Sequence, residues 1–154
     1  MKIELIKLKF NDTHSYKYKT FTHCCNEIQN DKAVIFTGEN ITGEYDDDGI
    51  YIPQFCTSYT ETFTSWGDEF ENTDNYPIQF CPHCGEKIEI EVVDEIDISG
   101  KYNELTKQRD ELWNKCHRTD SKKKEYELIE QVRKLDDQIN DFYELGEWKE
   151  NAYV

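Results

Sequence analysis

The sequence predicts an α+β fold in which an antiparallel β domain (residues 1–99) precedes an antiparallel α-helical hairpin (100–146) and a short C-terminal tail (147–154). Three observations predict it. Apolar residues alternate through much of the first 99 positions, the two-residue period of half-buried strands. From residue 100 onward they recur three and four apart, the period of helices packed along a narrow seam. The acidity also belongs to the first part: residues 1–99 hold 7 Lys and Arg against 20 Asp and Glu, and residues 100–154 hold 11 against 13.

Taken in order, Lys2–Phe10 reads as a strand. Ile3 and Leu5, then Ile6, Leu8 and Phe10, carry the alternation, with a change of phase between Leu5 and Ile6 that a β-bulge would produce. Residues 11–15 are rich in turn formers. Residues 16–23 alternate again in Tyr, Thr and Phe, types that suit a pleated surface. Residues 33–37 form a short apolar strand stopped at Gly38. Asp46-Asp47-Asp48-Gly49 is a turn, followed by Ile50-Tyr51-Ile52. Gln54–Ser65 is a long strand broken at Trp66-Gly67-Asp68. Residues 76–80 lead into Cys81, and residues 87–98 leave Cys84-Gly85 as an alternating strand. In the second part Tyr102, Leu105, Arg109, Leu112 and Cys116 make one helical seam, and Leu128, Val132, Leu135, Ile139 and Phe142 make another. Ser99 is placed to cap the first helix, residues 117–121 separate the two, and Gly146 ends the second. Two narrow seams leave Trp113 and Tyr126 uncovered, so the hairpin reads as a packing arm or as a coiled coil for self-association.

Six cysteines in a chain without an apolar N-terminal stretch are expected in the reducing cytoplasm, where metal binding or burial is commoner than disulfides. Cys81-Pro82-His83-Cys84-Gly85 is the strongest local signal. Two thiolates two residues apart chelate one ion from a tight turn, and Gly85 admits the left-handed backbone such turns use. The β context on both sides makes this a zinc knuckle of the ribbon type rather than a redox CxxC, which precedes a helix. A structural zinc ion takes four ligands, and Cys24-Cys25 supplies a second pair. The favoured set is Cys24, Cys25, Cys81 and Cys84; His23, Cys56 or His83 remains an alternative for one adjacent cysteine. Cys56 and Cys116 otherwise read as buried thiols. Four thiolates leave no open position, so the zinc would be structural.

The pairing of His23-Cys24-Cys25-Asn26-Glu27 with Phe80-Cys81-Pro82-His83-Cys84-Gly85-Glu86-Lys87-Ile88 resembles small phage-encoded zinc-ribbon proteins of Gram-positive bacteria, in which a double cysteine precedes a CPxCGxKI knuckle. The match covers about residues 20–90. The overall makeup also resembles zinc-containing anti-CRISPR inhibitors of type II RNA-guided nucleases. That resemblance implies a type II CRISPR effector nuclease as partner, with its DNA loading obstructed.

Charge narrows the function independently. A net charge of −15 disfavours direct contact with nucleic acid, whose phosphates demand lysine and arginine, and with an anionic membrane. No apolar run approaches the length of a membrane span. There is no phosphate-cradling Gly-rich loop, no HExxH and no GxSxG, so an enzyme is not expected. An acidic surface suits a host protein with a basic groove. Tyr45, Asp46, Asp47 and Asp48, and Trp66, Asp68, Glu69, Phe70 and Glu71, interleave carboxylates with rings and are the candidate contact residues, read as exposed loops. One counter-current exists: Lys115, His117, Arg118, Lys122, Lys123 and Lys124 gather at the hairpin tip. A zinc-ribbon adaptor touching nucleic acid or RNA polymerase through that tip is the alternative function.

Overall fold

The chain folds as a mixed α+β structure, and a computed structural model describes residues 1–31, 34–37 and 52–153. Its elements are β1 (Lys2–Phe10), β2 (Thr13–Thr22), α1 (Asn26–Asn30), β3 (Val34–Thr37), β4 (Gln54–Ser65), β5 (Asp68–Pro77), β6 (Glu89–Asp97), α2 (Ser99–Cys116), α3 (Lys122–Tyr143), β7 (Gly146–Glu147) and α4 (Glu150–Tyr153). Two sheets form, one in the order β6-β1-β2-β7 and one in the order β3-β4-β5. The second is antiparallel throughout, and β7 joins β2 in parallel. The turn expected at 46–49 lies outside the described residues, as do residues 50 and 51. Among the described residues no helix is long and apolar enough to cross a membrane.

Two compact units divide the chain, Met1–Leu5 with Lys19–Glu91, and Ile6–Tyr18 with Val92–Val154. The composition boundary at residue 99 is therefore where strand gives way to helix, not where the units part. The phase change in β1 has a structural meaning. Ile3 and Leu5 are buried in the first unit, and Ile6, Leu8 and Phe10 in the second. Asn11, at φ 55°, makes the corner between β1 and β2, and β2 starts at Thr13 rather than after residue 15. Asn is among the few side chains that tolerate this left-handed conformation.

The first unit buries Met1, Ile3, Leu5, Ile28, Val34, Phe55, Cys56, Cys81 and Ile88. Phe21, Phe36 and Phe55 meet with ring centroids 5.8–6.4 Å apart. Among the described residues this is a small core, and the outer parts of β4 and β5 add nothing to it. Those two strands form a ribbon closed by a two-residue turn, with Trp66 at φ 56° and Gly67 at φ 89°. Two consecutive left-handed residues match the twist of a hairpin. The break expected at residues 66–68 is thus a tight turn, and residues 68–74, expected as a loop, form strand β5. Cross-strand pairing supplies what their low strand propensity withholds. Ser58 donates to Asn75 at 2.7 Å, Thr60 and Thr73 share a bond at 2.9 Å, and Phe63 stacks on Phe70 with centroids 5.7 Å apart.

In the second unit α2 and α3 pack against each other in opposite directions. Tyr102 reaches Tyr143, Arg109 reaches Asp136, and Cys116 reaches Glu125. Leu105, Ile139 and Phe142 from these helices join Ile6, Leu8, Phe10, Ile98 and Tyr153 in one core. Ser99 does not cap α2. It is the helix's first residue, its Oγ accepts the Asn11 N–H at 2.9 Å, and Asp97 Oδ1 accepts the Ser99 N–H at 2.8 Å. Hydrogen bonds from the Ser99 hydroxyl and N–H hold the Asp97 carboxyl below its usual range. α3 stops at Tyr143, three residues before Gly146.

The segment expected as a tail is part of the fold. Gly146–Glu147 pairs with β2, the Trp148 N–H donates to the Tyr18 carbonyl at 3.0 Å, and Tyr153 is buried against Trp148, with its hydroxyl donating to Asp141 at 2.6 Å. Two ring residues in seven make this segment core-forming. Its burial predicts alkaline lability. Burial and the bond to Asp141 push the Tyr153 phenol well above 10, and burial with Tyr102 pushes Tyr143 up to about 12. A raised value in the folded state means stability that is complete below pH 10 and lost as pH rises through 12 and beyond. Tyrosinate absorbance during an alkaline titration should show the buried Tyr153 ionising only with unfolding; its free ionisation near pH 10 would contradict it.

Candidate metal centre

The candidate metal centre, a cluster of four cysteines, is built by two turns far apart in the chain. β2 ends at Thr22, the backbone bends at Cys24 and Cys25, and α1 begins at Asn26. Adjacent residues on a regular strand face opposite ways. Here the strand has ended, so both sulfurs turn to one side. The second turn is held by an antiparallel bridge between Phe80 and Lys87. Within it the Cys81 N–H donates to the Glu86 carbonyl at 2.8 Å, and the Gly85 N–H donates to the Cys81 carbonyl at 2.9 Å. Gly85 sits at φ 74°, the conformation that a side chain would strain.

The four sulfurs converge. Cys25 Sγ is 3.8 Å from Cys81 Sγ, Cys84 Sγ is 3.4 Å from Cys24 Sγ, and all four lie within 4.8 Å of one another. A tetrahedral ion with metal–sulfur bonds of about 2.3 Å would set its sulfurs about 3.8 Å apart. The cluster could therefore hold a metal ion with little movement. Its electrostatics fit one. Burial opposes charge on Cys81, yet the Cys84 and His83 N–H groups aimed at its sulfur hold it down at about 6. Burial and bonds to the Cys84 and Cys81 sulfurs push Cys24 up to about 12. For Cys25 the Ile28 N–H works downward, and burial with Cys81 and Cys84 raises it overall. One thiolate forms readily here; four require a cation among them.

The alternative ligands lie elsewhere. His83 Nε2 is 2.8 Å from Asp31 Oδ2, and the His23 ring lies against Phe21 at 4.5 Å. Cys56 is buried in β4 and Cys116 at the end of α2, so both are core thiols. Of the candidate contact residues, Trp66 stands fully exposed at the β4–β5 turn, and Asp68, Glu69, Phe70 and Glu71 lie exposed along β5. Tyr45, Asp46, Asp47 and Asp48 lie outside the described residues.

Three residues unmarked by any motif share a ribbon face with Asp68 and Phe70, while Glu69 and Glu71 lie on the opposite face. Opposite residues on paired strands share a face, so one face of the ribbon carries Tyr59 with Asp74, Glu61 with Asn72, Phe63 with Phe70, and Thr57 with Tyr76. Tyr59, Phe63 and Tyr76 thus join Phe70 in a row of rings, all 44–56% exposed. Their alternation with Thr in 57–63 is the sequence signal for this face; the pairing strand was hidden by its acidic residues. No protein-family model, curated protein or solved structure matches the chain.

Proposed function

We propose that Cys24, Cys25, Cys81 and Cys84 hold one structural zinc ion in a zinc-ribbon-like domain. The clamp would present the β4–β5 ribbon to a basic surface of a nucleic-acid-binding protein. An all-sulfur, four-coordinate set favours zinc and leaves no place for a substrate. The protein would be a non-enzymatic inhibitor acting in a bacterial cytoplasm. The resemblance of its overall makeup to zinc-containing anti-CRISPR inhibitors makes a type II CRISPR effector nuclease the target of choice.

One observation carries the reading. Trp66 is a fully exposed tryptophan in a left-handed turn position, where Asn, Asp or Gly is the usual choice. Burial does not explain it and backbone strain opposes it. Around it, residues 59–74 hold Glu61, Asp68, Glu69, Glu71 and Asp74 and no Lys or Arg. Exposed rings among carboxylates are what a basic partner surface requires. The α2–α3 pair is read as a coiled-coil arm with Trp113 and Tyr126 exposed for self-association.

The test is order of addition to a guide-loaded type II effector. Added before target DNA, a slight excess of the protein is expected to suppress cleavage by about a hundredfold, and added after DNA it should do little. Glu69→Lys with Glu71→Lys should restore cleavage. Full cleavage in every order would exclude this target. A salt-sensitive gel shift with duplex DNA alone would favour the nucleic-acid adaptor instead.

A further inference from the structure

We infer that the ring-bearing face of the β4–β5 ribbon reads arginine, not positive charge in general, and that its occupant is an arginine-bearing segment of a partner protein. The inference rests on the ribbon being a contact surface, as proposed above, but not on which protein is the target. On this face Tyr59, Phe63, Phe70 and Tyr76 are each about half exposed although they sit on paired strands. Charge complementarity selects what covers it. Residues 33–86 contain no Lys or Arg, so the surrounding sequence offers no cation to these carboxylates.

Geometry then selects arginine. Successive residues on one strand face lie about 7 Å apart, and cross-strand neighbours about 5 Å. The stacked Phe63–Phe70 pair is flanked by Glu61 along β4 and by Asp68 along β5, and Tyr59 is directly opposite Asp74. Each niche therefore offers a ring face beside a carboxylate. A guanidinium uses both at once, lying flat on the ring while its edge takes the carboxylate. An ammonium is a hydrated point charge with no flat face to stack. The opposite face of the ribbon, with Thr60, Thr62, Thr64, Glu69, Glu71 and Thr73, has carboxylates and no rings, and provides an internal contrast.

The probes are fluorescein-labelled nona-arginine and nona-lysine, titrated with the metal-loaded protein at physiological salt and read by anisotropy. The wild type is expected to prefer the arginine peptide by about tenfold, the combined effect of two exposed ring contacts. Phe63→Leu with Phe70→Leu and Tyr59→Leu keeps an apolar cross-strand pair and every charge. It should bring the preference to about twofold or less, with lysine-peptide affinity unchanged and an unaltered circular dichroism spectrum. Equal affinities in the wild type, or a preference that survives the leucine variant, would overturn the inference. So would a concentration-dependent doubling of mass abolished by the same variant, which would assign the face to a second copy. Failure here is distinguishable from failure of the inhibitor reading, because that assay reads charge reversal at Glu69 and Glu71 on the ringless face.

Discussion

Replacing Cys81 and Cys84 together by serine is expected to unfold the first unit, Met1–Leu5 with Lys19–Glu91, while the helices of the second persist. The sulfur cluster joins residues 24–25 to residues 81–84, across some 56 to 60 positions of chain. Apparent binding free energies for structural zinc in finger peptides run to about 10–16 kcal/mol. A whole domain is stable by about 5–15 kcal/mol. Without metal, the described part of the first unit would rest on the buried side chains around Ile3, Leu5, Ile28, Phe55 and Ile88, and the solvated ribbon would not help. Near-UV circular dichroism and amide exchange across residues 19–31 and 52–91 should collapse to unfolded values, with the helical far-UV signal retained. Chelation of the wild type should reproduce this. Cys81→Ser alone should do more damage than Cys84→Ser, because Cys81 is buried and accepts the backbone N–H that shapes the turn, whereas Cys84 is exposed. A metal-free double variant with native near-UV signal would show that the cysteines merely neighbour one another.

How much of this was legible in the sequence depends on where the determining physics resides. The cysteine cluster was legible because thiol identity and spacing survive in one dimension: a CxxC before glycine implies its own turn, and only one other close pair existed to meet it. The helices were legible from a period that Val132, Leu135, Ile139 and Phe142 repeat without interruption. Strand β5 was not, because Asp68, Glu69, Glu71 and Asn72 individually disfavour strands and are held there by the pairing of their neighbours Phe70 and Thr73 with Phe63 and Thr60. The C-terminal segment was not, because Tyr153 takes its burial from Trp148 and Phe142 together with a core shared with Ile6, Leu8 and Phe10, more than a hundred positions earlier. The unit boundary was hidden for a related reason. β1 reads as one strand, and its change of phase at Leu5–Ile6 is the only sequence trace of its passage from one core to another.

Lys17 is the clearest case of a role that no motif announces, and its replacement by methionine carries the other large expected effect. The residue alternates within a β2 pattern that reads as ordinary strand, yet its side chain is fully buried. Its Nζ donates to the carbonyl of Asp141 and, at 2.7 Å, to that of Glu144, while Ser15 Oγ donates to the carbonyl of Phe142. The last carbonyls of a helix have no partner within it, and here strand β2 supplies their donors. The ammonium also meets the negative end of the α3 dipole and lies 5.4 Å from the Tyr153 ring centroid. Methionine fills a similar volume but leaves the Asp141 and Glu144 carbonyls without this donor. Each such loss costs about 1–3 kcal/mol, so Lys17→Met should destabilise the second unit by about 2–4 kcal/mol in a urea titration. Burial, the largest influence, lowers the Lys17 pKa from 10.5 despite the opposing pull of Asp141. With the folded value depressed, the unfolded chain binds more protons in the window just below 10.5. Wild-type stability should therefore gain from Lys17 as pH rises through that window, before the tyrosines reverse the trend, and this gain should be missing from the methionine variant. If Lys17→Met were as stable as the wild type and showed the same pH slope, β2 would not be the cap of α3.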